Sequence, residues 1–160
     1  MVLRKEIVVV GLSMEDFKNN NVLDRSEVRC PIAAASTVLT DQWSVIVIRD
    51  IAFFGFRTFR EIISNNNEKI QSSTLAKRLK RLVDVGLLSF KDDETHAQRK
   101  IYCLTQAAID LVPIIISMAY WSNKHQILDS HTIEFLKPLQ EKNNPALEEF
   151  VNKLRKEHLY

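Results

Sequence analysis

The segment Ile70–Phe90, IQSSTLAKRLKRLVDVGLLSF, constrains the fold of this chain more than any other stretch. Leu75, Leu79 and Leu82 recur at i, i+4 and i+7 with Val83 beside them, the spacing that lays one apolar stripe along a helix. Lys77, Arg78, Lys80 and Arg81 surround that stripe, and no acid stands between Ile70 and Val83. The pattern predicts a helix from about Ser72 to Val85 that buries its leucines on its own domain and turns its cations outward. Gly86 then supplies the left-handed residue that ends a helix. Beyond it, LLSFK and RKIYCL are strand-like runs separated by the polar DDETHAQ, which predicts a hairpin with an acidic, mobile tip.

The elements upstream are helical. Pro31 suits a first helical turn, where its missing N–H is not needed, so IAAASTVL is read as a helix ending near Thr40. QWSVIVIRDIAFF carries a β-branched run with strand propensity. Its Trp43, Val47, Ile51 and Phe54 nevertheless repeat at helical spacing over three turns, so it is read as a helix. TFREIIS is a short helix capped by Thr58, with Glu61 at the capping-box position, and NNNEK is a loop. Downstream, Thr105 opens a long apolar helix, QAAIDLVPIIISMAYWSNKH, which Pro113 is expected to kink. Two more helices are expected, Ser130 to Gln140 and Asn144 to His158. The second has Asn144 as cap, Pro145 at its first position and Glu148 and Glu149 early. Helix, helix, short helix, basic helix and hairpin is the order of a winged helix-turn-helix, a mainly α fold with a small β-hairpin wing.

Composition narrows the class without naming a partner. A chain of 160 residues is long enough for one domain with a real core, and three glycines and four prolines are too few for a β-sandwich or barrel. The net charge of +2 means that any basic surface is a local patch. The apolar run Ile7–Leu12 is too short for a signal peptide, and LVPIIISMAYW is too short to span a membrane, so a cytoplasmic protein with no membrane partner is expected. Residues 1–29, with NNN at 19–21, are read as a partly flexible arm. Residues 30–125 are read as the winged-helix and dimerisation domain, and 126–160 as a helical extension. Met14 is an alternative start.

The catalytic signals are empty. His96, His125, His131 and His158 lack metal-ligand spacing and are each expected at the surface, so neither a metal nor a cofactor is anticipated. No nucleophile elbow, phosphate loop or dinucleotide fingerprint occurs, and the Asp92–Asp93 pair is read as solvated in its turn. An enzyme is not expected.

Binding chemistry fits better. Ser73, Thr74, Lys77, Lys80 and Arg81 point away from the leucine stripe, while Arg78 lies at its margin within reach of a flanking phosphate. Small hydroxyls permit close approach to base edges, and cations bind the phosphates that supply most affinity and little specificity. Lys91, Arg99 and Lys100 form the basic arm of the wing, whereas Asp92, Asp93 and Glu94 would repel a phosphate backbone. The bland alternative is an amphipathic helix with solvated cations; the ordered helix before it and hairpin after it favour DNA. A winged-helix module gripping an acidic protein stays open.

The same residues resemble the HxlR-type transcriptional regulators, a winged-helix family. CPI at 30–32, Trp43 before VIVIRDI, Phe59, EKI through LAKRLKRLVDVGLL at 68–88, IYCLT at 101–105 and LVP to Trp121 fall in the family's order over roughly Arg29 to His125. The resemblance implies a cytoplasmic homodimer that binds an inverted-repeat operator in double-stranded DNA and represses or activates nearby genes. It implies that Ser72 to Arg81, Ser72 included, reads the major groove, and that the helices after Cys30 and Thr105 make the dimer. Where the family commonly has glycine, glycine and lysine before the tryptophan, this chain has Thr40, Asp41 and Gln42, which removes a cation available to the DNA backbone. Ala107 and Ala108 replace a family glycine, and a proline of the wing is missing. In some members a cysteine placed like Cys30 senses oxidants or electrophiles; ahead of a helix N-terminus and beside Arg29, Cys30 is the candidate redox sensor, or else a small residue packed at the dimer seam. Cys103 is expected in the core. The helix from Leu111 to Trp121 either packs a dimer or lines a pocket for a small-molecule effector.

Overall fold

A computed structural model of the chain describes residues 30–96, 98–125, 136, 138–139 and 145–159. The residues form two compact units that divide between Cys103 and Leu104. The expected arm at 1–29, the expected Asn144 cap, His131 and most of the expected helix from Ser130 lie outside the described residues.

In the first unit, α1 spans Pro31–Leu39, with Cys30 extended at its N-cap and Pro31 in the first turn, as the sequence suggests. Helix α2, Gln42–Phe54, buries Val47, Ile48 and Ile51 and ends at Gly55, whose φ of 69° turns the chain away from the helix. The β-branched run is therefore helical: its apolar residues fall on one face that packs on α1 and on the leucine-seam helix, and that burial outweighs intrinsic strand propensity. Helix α3, Phe59–Asn65, has the expected capping box, the Thr58 hydroxyl accepting from the Glu61 N–H and the Glu61 carboxylate accepting from the Thr58 N–H.

After a turn over 66–71, α4 spans Ser72–Asp84 and buries Leu75, Leu79 and Leu82, each at most 1% exposed. Its exit is a complete Schellman motif. Gly86, at φ 74°, donates to the Val83 carbonyl, and Leu87 donates to the Leu82 carbonyl, both at 2.9 Å. Strands β1, Leu88–Asp92, and β2, Lys100–Leu104, pair as the hairpin. Thr58 bridges Ile101 in antiparallel fashion and Tyr102 N–H donates to the Arg57 carbonyl at 2.7 Å, which ties the start of α3 to the hairpin base. Helices α2 to α4 and the hairpin make a winged helix-turn-helix.

In the second unit, α5 spans Gln106–Lys124, capped by the Thr105 hydroxyl, and continues through Pro113. It buries Ala108, Ile109, Val112, Ile115 and Ile116. Helix α6, Pro145–His158, packs on α5 through the fully buried Leu154. His158 corrects the expectation of a surface histidine. It is 4% exposed, and its Nδ1 accepts the Leu104 N–H at 3.2 Å. It lies one turn beyond Leu154, on the face of α6 that packs inward, and there it satisfies an otherwise buried backbone donor. No single helix among the described residues is long and apolar enough to cross a membrane.

Candidate nucleic-acid interface

The turn that leads into α4 is held by a polar cluster that sequence reasoning missed. Asp50, 1% exposed inside an otherwise apolar stretch of α2, accepts from Arg49 Nη2 at 2.6 Å and from Asn66 Nδ2 at 2.9 Å. Arg49 Nη2 also reaches Glu68 Oε2 at 2.7 Å, and Asn66 Oδ1 accepts the N–H of Ile70 at 3.0 Å. Asp50 thereby holds Asn66 directly and Glu68 through Arg49, two side chains of the turn that leads into α4. Burial works against the Arg49 charge, yet the hydrogen bonds to Glu68 and Asp50 outweigh it and push its pKa further above the ordinary value. Glu68 is held below the usual carboxylate range, first by its hydrogen bond from Arg49. The available signal was the charged pair Arg49–Asp50 within VIVIRDI: an ion pair in an apolar helical run is buried only with partners.

On α4 the seven hydroxyl, lysine and arginine positions from Ser72 to Arg81 do not behave alike. Ser72, Ser73 and Lys77 are exposed and Thr74 is half-buried. Among the described residues, no acid pairs with Lys77. Lys80 Nζ lies 2.6 Å from Asp84 Oδ2, an i,i+4 pair with both side chains mostly in solvent, which holds the lysine only weakly. Arg78 and Arg81 turn back onto their own domain. Arg78 Nε sits 2.8 Å from Asp41 Oδ2, unaligned for a hydrogen bond, and Arg81 Nη2 donates to the Thr37 carbonyl of α1 at 3.1 Å. Both arginines occupy the flank of α4 that meets the α1–α2 junction, one turn apart, which is why they find partners that Lys77 does not.

The wing holds a second correction. Asp93, expected to be solvated, is 9% exposed and collects donors from the Thr95 N–H, the Thr95 hydroxyl and Arg99 Nε. Those hydrogen bonds, Thr95's first, hold its carboxyl well below the usual carboxylate range. The acidic tip is thus a hydrogen-bonded turn, and Arg99, a candidate DNA contact, is engaged by it at 2.7 Å. Lys100 Nζ lies 3.9 Å from the centroid of the Phe90 ring, and Lys91 is exposed. Between the start of α3 and the wing base an open groove is lined by Phe59, Arg60, Lys100 and Tyr102. Burial pushes the Tyr102 hydroxyl pKa up. Cys30 is exposed at the N-cap of α1; Cys103 is buried as expected, with Arg57 Nη2 2.7 Å from its sulfur.

Comparison with known proteins agrees with this geometry. A family profile described as HxlR-like helix-turn-helix matches residues 38–130. The uncharacterised HTH-type transcriptional regulators Mb3122 of Mycobacterium bovis and Rv3095 of Mycobacterium tuberculosis are each 31% identical over 94 residues, 59% of this chain. The match spans 58% of the length of those relatives. Among solved structures, the crystal structure of PA1607, described as a candidate transcription factor, superposes with a TM-score of 0.58 at 26% identity, over 68% of this chain and 73% of that one. The two mycobacterial relatives are named as helix-turn-helix transcriptional regulators, a DNA-binding class and not an enzymatic one. With the profile covering more than half of its residues, the chain belongs to the HxlR-like helix-turn-helix family.

Proposed function

We propose that this protein is a sequence-specific transcriptional regulator that binds an inverted-repeat operator as a homodimer in the cytoplasm, with α4 in the major groove and the hairpin as wing. The observation that carries this reading is the outward face of α4. Ser72, Ser73, Thr74 and Lys77 stand at or near the surface on a helix whose three leucines are fully buried. A helix seated by buried leucines, presenting hydroxyls and a cation that no acid among the described residues pairs, is what base edges and flanking phosphates require. Lys80 joins them by exchanging Asp84 for a phosphate, and Lys91 and Lys100 supply the wing's cations. Arg99 and Arg81 contribute mainly by shaping the wing and seating α4.

Support for the dimer comes from α5. Ile114, Met118 and Trp121, at i, i+4 and i+7, form one stripe with exposures of 42, 43 and 59%. An apolar stripe of that size on a single chain fits a second copy of itself. The domain reading follows: residues 30–125 bind DNA and dimerise, while 1–29 and 126–160 flank them. The exposure of Cys30 at a helix N-cap favours one elaboration, a redox or electrophile switch, in which thiol oxidation shifts operator affinity in the parent and not in Cys30→Ser.

The test is a titration of the protein into duplex from its gene's own upstream region and into a scrambled duplex, at several salt concentrations. Selective binding that falls with salt, with the slope of log affinity against log salt reduced by about 0.9 in Lys77→Ala, supports the reading. Equal binding of both duplexes, or none, removes it and leaves an acidic protein partner as the alternative.

A further inference from the structure

We propose that Asp41 withholds Arg78 from DNA and thereby sets the strength with which this protein grips the phosphate backbone. The inference rests on α4 being the DNA-reading helix. Arg78 lies on α4 between the exposed Lys77 and the buried Leu79, at the edge of the proposed contact surface. Its side chain leaves that surface for Asp41 at the N-cap of α2, with Nε 2.8 Å from Oδ2.

Three features make this pair a restraint on binding and not a structural staple. Asp41 makes no side-chain cap to the α2 backbone; its carboxylate is occupied by Arg78 and by the Ser44 hydroxyl. The Arg78 Nε–H is not aligned on the carboxylate, so the arginine is held by charge without the directional bond that makes such pairs strong. Both side chains remain in contact with water, at 29% and 16% exposure, so the guanidinium can be transferred to a phosphate without crossing the core.

The electrostatics act in one direction. A carboxylate beside α4 pairs with one of its cations and keeps that cation from a phosphate, so affinity is lowered by the loss of one contact. Arg81 is held differently, through a carbonyl of α1 that carries no charge, and keeps its positive potential at the interface. The grip is thus graded: Lys77 is available, Lys80 is loosely paired across an exposed helical turn, and Arg78 is withheld by a neighbouring helix.

The experiment compares the full chain with Asp41→Asn and with Asp41→Asn combined with Arg78→Ala, on the upstream duplex and a scrambled duplex of equal length. Asparagine keeps the size of the side chain and an oxygen for Ser44, and an unchanged thermal midpoint verifies the fold. Asp41→Asn is expected to bind both duplexes more tightly and to steepen the slope of log affinity against log salt by about 0.9, one added phosphate contact. Its advantage then grows about threefold on dilution from about 200 to about 50 mM salt. The double variant is expected to lose that added slope. Affinity and slope equal to the parent's in Asp41→Asn overturn the proposal. So does a gain that survives removal of Arg78, because Asp41 would then act by its own charge alone. Lys77→Ala separates the two levels: if it weakens binding while Asp41→Asn changes nothing, the reading helix stands and only this proposal falls. If no variant binds DNA, both fall.

Discussion

Replacing Asn66 with alanine should damage this protein more than its position in a short turn suggests. Asn66 is 8% exposed, and its amide serves two buried partners at once: Nδ2 donates to Asp50 Oδ2 at 2.9 Å and Oδ1 accepts from Ile70 N–H at 3.0 Å. Losing the first removes a hydrogen bond to a buried charge, worth roughly 1.5–3 kcal/mol. Losing the second strands a backbone donor in a residue that is 4% exposed, at roughly 1–3 kcal/mol. Entry of water into the vacated space offsets part of this, so a net loss of about 3 kcal/mol is expected. That is a large share of a typical domain stability of roughly 5–15 kcal/mol. Equilibrium unfolding in urea at fixed protein concentration measures it; with a slope of about 2 kcal/mol per molar, the midpoint falls by roughly 1.5 M. Asn67→Ala, an exposed neighbour in the same turn, is the control and should cost less than about 0.5 kcal/mol. Asn66→Asp should also be poorly tolerated at neutral pH, since it sets a second carboxylate against Asp50. Equal midpoints for Asn66→Ala and Asn67→Ala would refute the claim that this cluster seats the helix.

Other consequences are simpler to read. Gly86→Ala forces a side chain into a left-handed position at φ 74° and should cost about 1–2 kcal/mol in the same unfolding assay; a neutral result would mean the exit of α4 rearranges freely. The folded pKa of Asp93 is depressed, so its stabilisation is complete above the ordinary carboxylate value of about 3.9 and is lost as pH falls below it. Protection of the Thr95 amide should accordingly hold constant from pH 7 to about pH 4 and decline only in stronger acid, and a decline beginning near pH 6 would contradict the hydrogen-bonded turn. On the proposed homodimer reading, Trp121→Glu places a charge in the exposed stripe of α5 and should shift the molecular mass in light scattering from dimer to monomer while the helical content persists; a mass equal to the parent's would refute the proposed contact.

The elements themselves were legible because their determinants are local. The Leu75–Leu79–Leu82 spacing, the Thr58–Glu61 capping box, Pro31 at a first turn and Gly86 at an exit each act within one or two turns of helix, so a linear reading finds them. The ambiguous QWSVIVIRDIAFF resolved as a helix for the same reason: its apolar period is 3.6, and burial follows the period more faithfully than it follows propensity. His158 was misjudged because a lone histidine carries no sign of which backbone amide it will meet; its partner Leu104 is 54 positions away.

Residue type and order alone therefore determined that this chain makes a leucine-seated basic helix followed by a hairpin, since side-chain period and chain stiffness operate at short range. What each charge on that surface is free to do was decided only in three dimensions. Lys77, Arg78 and Arg81 look equivalent in AKRLKRL, yet Arg78 meets Asp41 and Arg81 meets the Thr37 carbonyl, partners 37 and 44 positions upstream. Asp93, adjacent to a solvated neighbour in sequence, becomes the centre of the wing's turn because Thr95 and Arg99 fold back on it. Coulomb energy and hydrogen bonding depend on distance and direction between groups, and those are set by packing of the leucines and isoleucines beneath them, not by separation along the chain.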